Sequence, residues 1–153
     1  MRRWARMLSA IAGTTALLAL TGAAAEDGKA AFEKRQDTMK RMGRPFYIGI
    51  GRVVKGTTPY GPETVTTAET VVAIASTLDW ALFSAGSDVG DSKIKPEIFA
   101  AKDQVEQLIA AVKAATTQLV PAVKTGDKAT IAAAYTAVYD ACNACHKEYR
   151  REE

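Results

Sequence analysis

The chain's only two cysteines and only histidine stand within five consecutive residues, Cys142-Asn143-Ala144-Cys145-His146. Two thiols three positions apart, with an imidazole directly after the second, form the attachment pattern of c-type haem. On a helix, positions i, i+3 and i+4 share one face. Both thiols can then add to the haem vinyl groups while His146 reaches the iron from the same side, so one haem c per chain stays attached even when an iron–ligand bond opens. Other uses fit less well. A thioredoxin-like pair needs a strand-helix-strand setting, structural zinc usually needs four Cys or His ligands where three exist, and a disulfide within one helix strains its geometry. With His146 committed to iron, no histidine remains as an acid-base group, and no catalytic constellation is evident, so an enzyme is not expected. A haem-free helical binding module survives only if the motif misleads.

Helices must position this run. Apolar residues recur at threes and fours in four segments, which predicts an all-α antiparallel four-helix bundle with haem held near the last helix. The first helix is expected over about 29–54, with Phe32, Met39, Met42, Phe46, Ile50 and Val53 inward and a kink or break near Pro45. The second is expected over about 63–83 with Val65, Ala68, Val72, Ala75, Leu78 and Leu82 inward. The third runs from Pro96 to about Lys124 with Val105, Leu108, Val112, Ala115, Leu119 and Val123 inward, its last turn disturbed by Pro121. Gly126 followed by Asp127 reads as a stop and a new N-cap. The fourth helix carries Ile131, Tyr135, Val138, Cys142, Cys145 and Tyr149 on one stripe. Those stripes would exist in a bundle without any cofactor, so they say nothing about function. Trp80 and Tyr135 read as packing residues rather than redox relays.

The N-terminus reads as a secretory signal peptide over 1–25, leaving a haem domain over 26–153. Arg2, Arg3 and Arg6 precede an uncharged stretch from Met7 to Ala25, and Ala23-Ala24-Ala25 offers small residues before Glu26-Asp27. Cleavage after Ala25 and a periplasmic location are expected. The competing reading is a retained anchor, since the uncharged stretch is just long enough to span a bilayer. Three of the 20 basic residues and none of the 17 acidic ones lie in 1–25, so the remainder is balanced at net zero. Nothing global favours nucleic acid or an anionic membrane as partner.

Further along, the chain resembles the class II cytochromes c, the four-helix family that includes cytochrome c′. The resemblance rests on the haem motif close to the C-terminus and the Lys147-Glu148-Tyr149-Arg150 that follows it. Leu78-Asp79-Trp80-Ala81-Leu82-Phe83 is similar to the family's Leu-Pro-Trp-Ala-Ala-Phe, and Pro96-Glu97-Ile98-Phe99 to its Pro-Glu-Ile-Trp. Val53-Val54-Lys55-Gly56 and Arg35-Gln36 match as well. It covers 30–150 and implies His146 as proximal iron ligand, with the residue four positions after Arg35 on the opposite face. That residue is Met39. Cytochromes c′ proper usually have an apolar, non-ligating residue there, whereas a low-spin subgroup has methionine and transfers electrons. The expectation is therefore a periplasmic electron carrier with His146/Met39 ligation and an unidentified redox partner protein. The alternative is a five-coordinate cytochrome c′ that binds nitric oxide or carbon monoxide. Methionine is also a common core filler, so Met39, Met42 or neither is left for the sixth position. Arg35 and Arg150 stand as candidates for the haem surround or its propionates, Arg35 against an ordinary exposed helix arginine and Arg150 against a solvated helix end. Family members often form homodimers through the first two helices.

Overall fold

The computed structural model describes residues 16–152, so most of the predicted signal peptide lies outside the described residues. Six α-helices are described: α1 (Ala16–Arg44), α2 (Gly51–Val54), α3 (Pro62–Ser76), α4 (Lys102–Thr117), α5 (Leu119–Lys124) and α6 (Lys128–Tyr149). A π-helical turn over Pro45–Ile50 joins α1 to α2, and a bend at Gln118 joins α4 to α5. The six therefore make four columns, an antiparallel four-helix bundle. Among the described residues there is no strand, only an isolated bridge between Ile94 and Arg150, and no helix is long and apolar enough to cross a membrane. The boundary expected after Ala25 falls inside α1.

The prolines mark the two places where the columns depart from regular α geometry, the π-helical turn at Pro45–Ile50 and the junction of α4 with α5. Pro45 neither breaks the first column nor ends it. Proline lacks an N–H and its ring crowds the carbonyl one turn back; the helix absorbs this by widening, with the Gly51 N–H donating to the Phe46 carbonyl five residues earlier. Pro121 acts upstream of itself. Its ring crowds the carbonyl of Thr117, where α4 ends and α5 begins after one residue.

The second column is shorter than predicted. Ser76 and Thr77 donate their hydroxyls to the Ala73 and Ile74 carbonyls, both at 2.7 Å, which competes with helix propagation. Asp79 is extended, and Trp80–Phe83 forms a separate 3₁₀ turn. Pro96–Ala100 is likewise a 3₁₀ turn ahead of α4 rather than its first turn. The stop-and-start at the fourth column is as expected: Gly126 has φ of +67°, and the Thr130 N–H donates to Asp127 Oδ2 at 2.7 Å.

Phe46, Ile50, Val71, Val105, Leu119, Val123, Ile131 and Val138 are almost wholly buried, and together they join all four columns. The buried residue in the middle of α3 is Val71 rather than Val72, because Val71 completes the face that already carries Ala68 and Ala75.

Candidate haem site

Helix α6 holds the chemistry. Asp127 caps its start, Ile131 and Val138 lock its phase against the core, and Cys142, Cys145 and His146 follow on that face. All three are half-buried, and both cysteines are free thiols. Two neighbouring chambers lie against this face; Met39, Tyr47, Phe83, Cys145 and His146 line both, and Cys142 lines the smaller alone. The smaller, about 90 Å³, is bounded by Met39, Met42, Phe46, Leu78, Phe83 and Val112 together with Cys142, Cys145 and His146. The larger, about 640 Å³, lies within the roughly 300–1,000 Å³ typical of cofactor sites; Arg35, Met39, Tyr139, Tyr149 and Arg150 line it together with Cys145 and His146.

Burial in this cavity sets the protonation of the site. It pushes the Cys142 thiol up and, with the neighbouring Cys142, raises Cys145 to about 11. Burial also holds the His146 imidazole below its ordinary range, and the Arg150 charge adds to this. His146 is therefore neutral at pH 7, the form that ligates iron.

The predicted site residues divide. Cys142, Cys145, His146, Met39 and Arg150 come together around the two neighbouring chambers, with Tyr149 beside Arg150 in the larger. Met39 lines both chambers, whereas Met42 lines only the smaller and is buried against the core. Arg35 also borders the larger chamber, but its guanidinium is directed elsewhere. Nη1 donates to the Leu82 carbonyl at 2.6 Å and to Ser87 Oγ at 2.9 Å. Nη2 donates to the Ser87 carbonyl at 2.6 Å and to Ser92 Oγ at 3.0 Å. Phe32 and Phe83 sandwich the cation at 5.8 and 5.7 Å. The terminal N–H groups are spent on the Trp80–Phe83 turn, through Leu82, and on the loop that follows it, through Ser87 and Ser92. Arg35 is thus not an ordinary exposed helix arginine; it is a buried tie between α1 and the segment from Leu82 to Ser92, at the border of the larger chamber.

The same loop is stitched to the end of α6. Lys95 N–H donates to the Tyr149 carbonyl at 2.8 Å and Arg151 N–H to the Lys93 carbonyl at 2.7 Å. Lys95 Nζ donates to the last carbonyls of α6, at Glu148 and Lys147, a favourable place for a cation. The cavity wall beside His146 is held from outside in this way.

Sequence reasoning missed Ser87 and Ser92, whose role depends on a loop folding back onto Arg35, and the exposed tyrosines Tyr47 and Tyr139. No signal in the spacing marks either group.

The residues present fit a covalently held haem. Two protonated thiols and a neutral imidazole share one helical face, the cavity is of cofactor size and mainly apolar, and Lys40, Lys93 and Arg150 border the larger chamber where two propionates need cations. A four-helix bundle with this constellation defines a monohaem c-type cytochrome.

The comparisons specify the kind. The family described as Cytochrome C′ matches residues 30–150. Cytochrome c′ of Alcaligenes xylosoxydans xylosoxydans is 32% identical over 126 residues, covering 80% of this chain and 94% of that protein. A variant of cytochrome c′ from Alcaligenes xylosoxidans solved with bound nitric oxide superposes with a TM-score of 0.72 at 28% identity, over 82% of this chain and 97% of that one. Another variant, with bound carbon monoxide, gives 0.71 at 29% identity over the same shares. A cytochrome c′ with ligand-controlled dimer dissociation gives 0.73 at 27% identity, again over 82% and 97%. The chain belongs to the cytochrome c′ family, whose cofactor is one covalently attached haem c.

Proposed function

We propose that this chain is an exported cytochrome c′ whose haem iron takes up nitric oxide or carbon monoxide. The sequence alone favoured electron transfer; the relatives solved with these gases favour the alternative. The observation that carries the reading is the smaller chamber: beside Met39 it is lined by apolar side chains apart from Tyr47, His146 and the two thiols, and it suits an uncharged diatomic ligand. Cys142 and Cys145 would supply the thioethers and His146 the proximal ligand. Arg35 and the Lys95 contacts hold the walls, and the apolar lining excludes water. The haem supplies an iron that binds the gas and changes oxidation state.

Met39 favours a second reading. It lines both chambers with His146, and a thioether opposite an imidazole gives a low-spin, electron-transferring haem. Optical spectra of the oxidised and reduced holoprotein, before and after carbon monoxide, decide between the two. The gas binder is high-spin and takes up carbon monoxide rapidly. A low-spin spectrum with slow uptake, converted by Met39→Ala to high-spin with rapid uptake, rejects the first reading and establishes the second.

Export with cleavage after Ala25 belongs to the same proposal, and N-terminal sequencing of the native protein should begin at Glu26. A homodimer is expected as well, on the precedent of the relative whose dimer responds to ligand.

A further inference from the structure

Where the π-helical turn meets α6, four aromatic rings close on one another. Phe46 stacks on Tyr135 at 4.5 Å and 15° and meets Tyr47 edge-on at 5.0 Å. Tyr47 meets Tyr139 edge-on at 6.2 Å, and Tyr139 lies 6.5 Å from Tyr135. Two members reach both the cavity and the solvent. Tyr47 is 41% exposed and lines both chambers; Tyr139 is 42% exposed and lines the larger. Phenylalanine at either position would fill almost the same volume, so packing accounts for the rings and not for the phenols.

A phenol is oxidised only by a strong oxidant. Ferric haem is too weak, so ordinary electron exchange does not pass through tyrosine. Haem oxidised beyond the ferric state by a peroxide is strong enough. We propose that Tyr47 and Tyr139 form a hole relay that carries oxidising equivalents from the haem site to the protein surface when the haem meets a hydroperoxide.

The electrons balance. Hydrogen peroxide accepts two electrons and two protons, its O–O bond breaks, and two waters form. Tyr47 and Tyr139 each give one electron, matching the two protons consumed with the phenolic protons they release to water, and the iron ends ferric. A phenol is protonated at neutral pH, and burial favours that form further at Tyr47, so the proton leaves with the electron. The two tyrosyl radicals are then reduced by an external donor such as ascorbate, or couple through a new carbon–carbon bond between the adjacent rings. Tyr135, further from the surface, remains a packing ring.

The relay rests on the family's covalent haem and on neither reading of the sixth ligand. The test uses ferric holoprotein whose mass confirms haem attachment, treated with hydrogen peroxide and freeze-quenched for electron paramagnetic resonance. Parallel samples are mapped for dityrosine, and bleaching of the haem band is timed. Wild type should give a tyrosyl signal and a cross-link between the Tyr47 and Tyr139 peptides. The Tyr47→Phe/Tyr139→Phe double variant should lose both and bleach faster, while Tyr60→Phe, at an exposed tyrosine outside the cluster, should behave as wild type. A double variant with undiminished signal and unchanged bleaching overturns the relay. If the wild-type iron is unreactive, the same comparison in a Met39→Ala background must give the same loss; an unreactive haem there also overturns it.

Discussion

Replacing Arg35 by alanine should be among the most damaging single changes outside the haem motif. The side chain is 5% exposed and donates four hydrogen bonds to three residues, Leu82 in the 3₁₀ turn and Ser87 and Ser92 in the loop after it. Hydrogen bonds from a charged donor contribute about 1.5–3 kcal/mol each, and a buried acceptor left without a partner costs about 1–3 kcal/mol. These contributions overlap, because the same carbonyls appear in both counts. Arg35→Ala removes the charge itself and leaves only neutral acceptors, some of which can turn to water, so about 3–5 kcal/mol is the expected net loss. At roughly 3 °C per kcal/mol for a chain of this size, the melting temperature should fall by about 10–15 °C. Urea denaturation of the holoprotein, followed by far-ultraviolet circular dichroism, reads the change as a lower midpoint at constant slope. Arg35→Lys keeps the charge and loses the two-pronged geometry, so it should recover only part of the loss. Ser87→Ala combined with Arg35→Ala should cost less than the two changes added, since each removes the same contact. A loss below about 1 kcal/mol for Arg35→Ala, with full additivity to Ser87→Ala, would refute the clamp.

The remaining expectations concern two positions. Asp127→Ala should lower the melting temperature at neutral pH by removing the cap on α6. The Thr130 hydrogen bonds depress the Asp127 pKa, so the stabilisation is complete above the ordinary carboxylate pKa and is lost as pH falls through the lower folded value; thermal melts of variant and wild type should therefore converge in acid. Gly28→Ala would place a methyl group against the backbone carbonyl of Gly86. Neither backbone can yield cheaply, and a loss of about 1–3 kcal/mol in denaturant titration is expected.

Much of the site was legible before any fold was known, because its information is local. The spacing of Cys142, Cys145 and His146 puts them on one helical face wherever the helix packs, and Gly126 with Asp127 marks the start of that helix through its own turn chemistry. The stripes on the four columns are local too, since burial follows the 3.6-residue period. What spacing could not supply was phase and partner. Val71 and Val72 are equally apolar, and only the direction of the neighbouring helices makes Val71 the buried one. The widened turn at Pro45 depended on whether packing on both sides would hold the helix together through a lost hydrogen bond, which a proline alone does not state. Arg35 finds its acceptors 47–57 residues away in sequence, and Tyr47 meets Tyr139 across a still longer stretch of chain. Contacts of that kind exist only once the chain has closed its long loops, so tertiary structure alone decided that Arg35 is a buried tie and that two unremarked tyrosines stand at the edge of the haem cavity.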